Sequence, residues 1–359
     1  MEIKVIDSMP DLLALEPAWQ RMWMAGRERH VFQHFEWARA FIESFNASIQ
    51  WRVLTTQSDG VVTGLLPVAC DHRTGFWRLL GSPNADYQHV LAGAEEARAM
   101  IRHLPLLGIR AMVFECLPED SVLLRVLAGE NGPLVMSPEK AECYYAQLTP
   151  ETVAKVQRRG GIKDNLRRLS KQGPVEMHLL ETVEERVQAL ATLFAQHRAR
   201  WDSRGKPSQF HDPAMCAFYR RLCESKGLAD LLHFSTLKVN GQEVACHLGF
   251  ISNSTLIYYK PTYDPAVRGA GQVLLSKLMT EALQRGLSEI DFTRGGESYK
   301  TSLATGVRQN REARLFFSAR ARLCHVGTEW LRRRVPRDEN GLAITTRIAR
   351  QWRELIGGH

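Results

Sequence analysis

The sequence predicts a mixed α/β protein with two similar halves, because it contains two matching hairpin patterns and strands that alternate with helices. The hairpins are expected at 51–69, around Asp59-Gly60, and at 234–251, around Asn240-Gly241. Asp-Gly and Asn-Gly favour tight reversals, since both positions accept positive φ angles. The alternation predicts helices layered on mixed sheets, an α+β arrangement in each half. Helical stretches are expected at 10–24, 35–45, 94–107, 182–201, 213–225 and 272–285.

The length of the chain predicts two domains. Single hydrophobic cores stop growing near ~250–300 residues, and this chain has 359 residues. We place an N-terminal domain at 1–150, a basic helical connector at 151–174, a second domain at 175–320 and a basic helical tail at 321–359.

The clearest helical signal begins at Thr182. Thr182 and Glu185 have the spacing of a capping box, in which each side chain bonds the other residue's backbone N–H. His197 lies on the apolar stripe of this helix, and we interpret it as a packed histidine rather than a catalyst.

The composition is that of a folded protein, with 44% hydrophobic and 24% charged residues. No apolar stretch approaches the ~20 residues of a membrane span, and the N-terminus carries no basic leader, so we expect a cytoplasmic protein. The seven cysteines are scattered and form no CxxC pair, which predicts reduced thiols and no metal site.

The net charge of +8 favours anionic partners: a phosphorylated cofactor, nucleic acid or an acidic membrane face. Residues 155–171 include seven Lys and Arg residues and only one acidic residue. A second basic cluster consists of Arg332, Arg333, Arg334 and Arg337. Each cluster is either a solvated helix face or an anion-binding surface, and the sequence leaves both interpretations open.

A stretch at 255–300 has the organisation of an anion-binding site. It predicts a strand, a glycine-containing loop, a helix, another strand and a second glycine loop that enters a helix. Backbone N–H groups at the start of the first helix would meet a pyrophosphate there, because glycine allows close approach and the helix dipole is positive at this end. The residues expected to bind it are Arg268, Gly269, Ala270, Gly271 and Gln272. An ordinary strand-to-helix connection is the alternative.

Two motifs in this stretch carry a family resemblance. Tyr-Tyr-x-x-x-Tyr-Asp-Pro at 258–265 and Ile-Asp-Phe-x-x-Gly-Gly-Glu-x-Tyr-Lys at 290–300 resemble the C-terminal half of CelD-like GNAT acetyltransferases, which are relatives of Fem-type aminoacyl transferases. Upstream, Tyr144-Tyr145 and the Asn-Leu-Arg-Arg sequence at 165–168 resemble the segment that joins two GNAT-like domains in that group. The resemblance covers most of the chain, strongly after Glu142 and only loosely before it.

This resemblance implies two tandem GNAT-like acyltransferase domains. It implies acyl transfer from acetyl-CoA or another acyl-CoA to an amine or hydroxyl, without a metal. The backbone around Tyr258, Tyr259 and Lys260 would then line the reacting carbonyl on a parted strand. One residue departs from the GNAT pyrophosphate pattern, since Val273 occupies the position that usually holds Gly or Ala.

Acyl transfer also needs a base for the nucleophile and an acid for the leaving group. Asp291 and Glu297 are alternative bases, and His247 is a further one. Tyr259 or Tyr299 could be the acid, and Lys300 suits a phosphate or an oxyanion. Packing roles for the tyrosines, a surface position for Lys300, and an ion pair of Asp291 with Arg294 or Lys300 are the alternatives.

The acceptor would bind in the first half. Asp86 and Tyr87, together with Asn84 and His89, form a polar cluster that the resemblance assigns to the acceptor side, and a simple surface turn is the alternative.

Three functions are consistent with the sequence. The first is an acyl-CoA-dependent N- or O-acyltransferase for a sugar, a polysaccharide precursor or a small metabolite. The second is Fem-type aminoacyl transfer from tRNA, with the basic connector on the phosphates and dispensable for CoA binding. The third is a non-catalytic scaffold in envelope polysaccharide assembly, whose arginine-rich tail would contact the membrane or the synthesis machinery.

Overall fold

The computed structural model describes residues 1–26, 29–71, 76–82, 84–129 and 134–317. The tail predicted at 321–359, with its arginine cluster, lies outside them. The strands are β1 Glu2–Ile6, β2 Ile49–Ser58, β3 Val61–Asp71, β4 Trp77–Leu79, β5 Leu91–Ala92, β6 Ala111–Pro118, β7 Leu134–Gln147, β8 Val175–Leu179, β9 Leu232–Val239, β10 Gln242–Ser252, β11 Thr255–Tyr263, β12 Glu289–Arg294 and β13 Gly306–Phe316.

The helices alternate with these strands, as the sequence predicts. They are α1 Met9–Ala14, α2 Glu16–Ala25, α3 Phe35–Phe45, α4 Ala94–His103, α5 Val122–Ala128, α6 Pro150–Arg158, α7 Gly160–Ser170, α8 Val183–Asp202, α9 Pro213–Glu224, α10 Ala270–Gln284 and α11 Ser298–Leu303. Within the described ranges, no helix combines the length and the hydropathy that a membrane span requires.

The chain forms two compact units that are not contiguous in sequence. Among the described residues, unit 1 contains those within 1–18, 47–140 and 311–317, and unit 2 contains those within 19–46 and 141–310. The sequence-based division into 1–150, 151–174 and 175–320 remains a prediction. The compact units differ from it because residues 19–46 belong to unit 2 and residues 311–317 belong to unit 1.

Unit 1 is organised around the first predicted hairpin. Strands β2 and β3 pair antiparallel from Ile49↔Asp71 to Ser58↔Val61, and Asp59 and Gly60 have φ angles of 51° and 77° at the turn. The strand order is β1-β2-β3-β4-β6, with β5 paired to β3. Residues of α4 and α5 belong to the apolar core of this sheet, which confirms the helix-on-sheet layers of the first half.

Unit 2 contains the second hairpin in the same form. Strands β9 and β10 pair antiparallel, with Asn240 and Gly241 at φ angles of 50° and 79°. The strand order β8-β9-β10-β11-β12-β7 is antiparallel except between β11 and β12, which run parallel. Helices α6, α7 and α10 contribute to one core with this sheet. The predicted connector helix is therefore part of the packed unit.

Helix α8 begins as the sequence predicts. The Thr182 hydroxyl accepts a hydrogen bond from the Glu185 N–H at 3.2 Å, and the Glu185 carboxylate accepts from the Thr182 N–H at 3.0 Å. These reciprocal bonds satisfy backbone donors that the first turn of a helix leaves without acceptors.

Helix α3 belongs to unit 2 although it lies early in the chain. Trp37 is 1% exposed, and its ring centroid lies 5.0 Å from that of Phe218, 5.9 Å from that of Tyr259 and 6.1 Å from that of Phe250. The aromatic core of unit 2 therefore depends on a segment about 100 residues upstream of the rest of the unit.

His34 caps helix α3 and should make the protein sensitive to acid. Its Nδ1 accepts from the Glu36 N–H at 3.2 Å, and burial lowers the pKa of the imidazole from 6.5 to about 4. The unfolded chain binds a proton below pH 6.5, whereas the folded protein does not bind it until near pH 4. The stabilisation is therefore complete above pH 6.5 and is lost as the pH falls toward 4, at about 1.4 kcal/mol per pH unit.

Urea unfolding at pH 7 and pH 5 measures this loss. In His34→Asn the loss should be smaller, because Asn caps the helix without titrating. Equal losses in the two proteins would contradict the assignment to His34.

Candidate active site

The candidate donor site is built by β11, a short loop and α10. The loop turns at Asp264, whose Oδ1 accepts from the Ala266 N–H at 2.9 Å and whose carbonyl accepts from the Val267 N–H at 3.0 Å. Gly269 precedes the helix with a φ of +82°, a conformation that residues with a Cβ rarely adopt. The loop thus reverses the chain within six residues and aims the N-terminus of α10 at the end of β11.

Strands β11 and β12 part at this end of the sheet. Their parallel pairing covers Thr255↔Glu289, Leu256↔Ile290 and Ile257↔Asp291. On its other edge β11 stays paired with β10 as far as Tyr263. A V-shaped opening between two parallel strands therefore begins at Tyr258, one residue past the last pair.

A β-bulge lies at the point where the strands part. Leu248 pairs with Lys260 and Phe250 with Ile257, so Tyr258 and Tyr259 together oppose the single residue Gly249. A Cβ at Gly249 would lie 2.3 Å from the Ile257 carbonyl oxygen. Glycine is thus required here, and the bulge redirects β11 at the opening, as bulges near active sites commonly do.

The first turn of α10 presents backbone donors. Val273 N bonds to the Gly269 carbonyl at 3.0 Å, so the N–H groups of Gly271 and Gln272 precede the first intrahelical bond. A Cβ at Gly271 would lie 2.9 Å from Cδ1 of Tyr263. Val273, which departs from the GNAT pattern, is 1% exposed and belongs to the core of unit 2. Its larger side chain is therefore taken up by the core.

Helix α7 contacts the loop at 264–269 and the first turn of α10, and we call this loop the donor loop. The Asn165 side-chain amide donates to Gln272 Oε1 at 2.6 Å. The Arg168 guanidinium donates to Asn165 Oδ1 at 2.8 Å and also to the Arg268 carbonyl. A Cβ at Gly269 would lie 2.2 Å from Asn165 Cγ. These contacts argue against the expectation that the basic connector is dispensable for CoA binding.

Arg168→Ala should therefore weaken CoA binding by roughly 2–10-fold, the equivalent of about 0.5–1.5 kcal/mol for hydrogen bonds that order the loop. Arg167→Ala is the matched control, since Arg167 is the exposed neighbour on the same helix. Isothermal titration with CoA at two salt concentrations separates loop ordering from bulk charge. Equal affinities in both variants would refute the role of Arg168.

Three predicted residues meet next to the opening. The Tyr258 ring stacks on His247 at 4.6 Å between centroids and lies 6.5 Å from the Tyr299 ring. Burial raises the pKa of both tyrosine hydroxyls, and it lowers the pKa of His247 well below its usual range. Both tyrosines therefore keep their protons at neutral pH, and His247 is neutral behind Tyr258.

Asp291, Glu297 and Lys300 lie on β12 and the loop that follows it. Asp291 is 3% exposed, accepts from the Thr293 N–H at 2.7 Å, and lies 3.6 Å from the Arg308 guanidinium. Lys300 is 4% exposed and donates to the Arg294 carbonyl at 2.6 Å. The interpretation of Lys300 as a surface lysine is wrong.

Glu297 caps α11 and differs from Asp291 in its exposure. Its carboxylate lies 3.0 Å from Lys300 Nζ, and its side chain is 48% exposed. Of the two carboxylates predicted as general bases, Glu297 is the more exposed to solvent.

Tyr259 and Lys260 lie together at the bulge. The Tyr259 hydroxyl lies 2.9 Å from the Tyr219 hydroxyl, and Lys260 Nζ lies 4.5 Å from the centre of the Tyr259 ring. The hydroxyl of Tyr259 is thus engaged within the aromatic core of unit 2.

The residues expected to bind the acceptor lie in unit 1. Asp86 is 6% exposed and Tyr87 is 2% exposed, which excludes a simple surface turn. Their role in binding stays a prediction.

Sequence reasoning missed Asn165 and Arg200 as site residues. Arg200 lies in the last turn of α8 with its guanidinium carbon 5.0 Å from the centre of the Tyr263 ring. Each residue meets the site across more than 60 residues of sequence. The Asn-Leu-Arg-Arg motif assigns Asn165 to the connector rather than to the site, and Arg200 has no local pattern that marks it.

Comparison with known proteins agrees with this geometry. Residues 156–301 match the family model described as "Acetyltransferase (GNAT) domain". No curated protein sequence gives a significant match. The CelD-like subfamily remains a prediction.

Several solved structures share the fold. FemX is 10% identical, with a TM-score of 0.58 over 91% of this chain and 99% of FemX. L-PGS from Bacillus licheniformis is 14% identical, with a TM-score of 0.54 over 83% and 97% of the two chains. A tandem GNAT protein from the clavulanic acid biosynthesis pathway is 11% identical, with a TM-score of 0.51 over 88% and 99%. The chain therefore has the mixed α/β fold of tandem GNAT proteins, and its residues 156–301 are similar to the GNAT acetyltransferase domain.

Proposed function

We propose that the protein transfers an acyl group from acetyl-CoA or another acyl-CoA to an amine or hydroxyl of a sugar, polysaccharide precursor or small metabolite. The observation that carries this proposal is the opening between β11 and β12 next to a glycine loop that enters α10. This juxtaposition would hold the two ends of one extended donor, with its phosphates on the helix and its acyl carbon at the bulge.

The residues of the loop fit a pyrophosphate. A Cβ at Gly271 would meet the Tyr263 ring at 2.9 Å, so glycine allows close approach here. The N–H groups of Gly271 and Gln272 have no intrahelical acceptors, and Arg268 is exposed beside them. When bound, acyl-CoA supplies a thioester carbonyl that is open to a nucleophile. Backbone groups of Tyr258, Tyr259 and Lys260 would orient that carbonyl.

The proton-transfer roles follow from exposure and pairing. We assign the general base to Glu297, because Asp291 is buried against Arg308 whereas Glu297 reaches solvent. We assign the acid to Tyr299, since burial keeps its hydroxyl protonated while the Tyr259 hydroxyl is bonded to Tyr219. Lys300 lies beside Glu297 and would hold its carboxylate in place.

Thermal unfolding with acetyl-CoA, longer acyl-CoAs and free CoA tests the proposal. A ligand at about 100 times its Kd stabilises the folded protein by about 2.7 kcal/mol, which moves the midpoint by several degrees. The rank order of the acyl-CoAs would identify the chain length. Unchanged midpoints with all of them would overturn the donor assignment.

Fem-type aminoacyl transfer from tRNA is the second candidate, and the exposed basic face of α7 favours it. Lys163, Arg167 and Lys171 are exposed on and just beyond this helix. A tRNA donor would bind with a steep salt dependence as counterions are released. If the affinity for aminoacyl-tRNA fell steeply with salt and the protein did not bind CoA, the result would support this function and exclude the first.

A further inference from the structure

Arg200 differs from the other arginines of α8 because its side chain makes no hydrogen bond or ion pair with the residues that the structure describes. Arg186 Nε donates to the Leu180 carbonyl at 3.0 Å, and Arg198 donates to the Phe210 carbonyl at 3.1 Å. By contrast, Arg200 Nε is buried without an acceptor, and Arg200 pairs with no acid among the residues that the structure describes. A buried donor left without an acceptor destabilises the folded protein, so such a group calls for a ligand or another cause.

The position of Arg200 points to a ligand. Its guanidinium lies over the Tyr263 ring at 5.0 Å, and Tyr263 itself lies against Gly271 in the first turn of α10. Its charge also reaches Tyr258 and Tyr299, where it opposes the larger effect of burial on the hydroxyl pKa values. Arg200 thus lies beside Tyr263, at the C-terminal end of β11 and next to the loop that enters α10.

A second cation lies on the same side. Lys260 and Arg200 both add to the effect of burial in lowering the pKa of His197 to about 4. His197, whose Nδ1 lies 2.8 Å from the Ser208 hydroxyl, is therefore neutral at pH 7 and adds no charge. The α8 side of the opening presents positive charge next to an uncharged, hydrogen-bonded histidine.

We propose that Arg200 binds a carboxylate of the acceptor substrate. The guanidinium matches a carboxylate in charge and in its planar pair of N–H donors. The donor phosphates have separate partners in the N–H groups of α10 and in Arg268, which leaves Arg200 for the second substrate. Since Arg200 contacts Tyr263 on the strand whose opening begins at Tyr258, the carboxylate and the acylated amine or hydroxyl belong to one small molecule. This inference rests on the proposed acyl-CoA function and names the class of its acceptor.

An NMR titration of the Arg200 Nε–Hε resonance tests the proposal in the full-length protein. The resonance is assigned as the signal that is missing from Arg200→Lys and Arg200→Gln but present in Arg204→Gln, an exposed control four residues away. The probes are N-acetylglycine and its neutral counterpart N-acetylglycinamide, each added to protein saturated with CoA. They represent the acylated product of an acceptor with and without a carboxylate.

We expect N-acetylglycine to shift this resonance and N-acetylglycinamide to leave it unchanged. Arg200→Gln should weaken N-acetylglycine binding at least tenfold while CoA binding stays within twofold of the parent. A resonance that shifts with CoA alone, or with neither probe, would overturn the proposal. A parent protein that binds no CoA would instead refute the acyl-CoA function, so the two failures are distinguishable.

Discussion

Gly271→Val is expected to abolish measurable CoA binding while the protein remains folded. The new side chain would meet the Tyr263 ring at 2.9 Å, and its branched Cβ would crowd the space in front of the Gly271 and Gln272 N–H groups. Each hydrogen bond to a charged phosphate contributes about 1.5–3 kcal/mol. Loss of two such bonds lowers the affinity by at least ~100-fold, which isothermal titration with acetyl-CoA measures.

The rank of three variants distinguishes a shaped cradle from bulk charge. Arg268→Ala should weaken binding less than Gly271→Val, because an exposed side chain supplies a single charge-assisted contact. Gly161→Val is the matched control: Gly161 is the second residue of α7, as Gly271 is of α10, and open space surrounds its Cβ position. Wild-type affinity in Gly271→Val, or a larger loss in Arg268→Ala, would remove the donor from this loop.

Features set by local sequence could be predicted. The hairpin turns follow from Asp59-Gly60 and Asn240-Gly241, whose backbone angles are fixed by residue type. The start of α8 follows from Thr182 and Glu185, since a capping box depends on four consecutive residues. The strand–loop–helix at 255–284 could be predicted for the same reason.

Features set by distant contacts could not be predicted. Nothing near Asn165 indicates that its amide would meet Gln272, 107 residues later. Lys300 has the sequence context of a surface lysine, and only its contact with the Arg294 carbonyl and Glu297 accounts for its burial. Arg200 can be distinguished from Arg186 and Arg198 on the same helix only in the structure, where those two arginines have hydrogen-bond acceptors. Such contacts depend on tertiary packing, to which periodicity and turn propensity do not extend.

The second large effect concerns residues 19–46, which pack as part of unit 2. Trp37→Ala should lower the free energy of unfolding of this unit by about 3–5 kcal/mol, the usual cost of removing a buried tryptophan. Trp37 is in contact with the rings of Phe32, Phe218, Phe250 and Tyr259. Trp37→Phe should cost much less, because it keeps an aromatic ring and removes a buried indole N–H that has no acceptor within the described part of the chain.

Hydrogen exchange shows which unit loses this stability. In Trp37→Ala we expect faster exchange in β10, β11 and α9, which are distant in sequence, and little change in β2 and β3, which follow Trp37 directly. Phe114→Ala is the reciprocal control, since Phe114 is fully buried in the core of unit 1 and should affect β2 and β3 instead. If Trp37→Ala increased exchange in β2 and β3 and left β11 protected, α3 would stabilise unit 1 and not unit 2. The strand that is proposed to hold the acyl carbonyl would then have to be stabilised without the N-terminal segment.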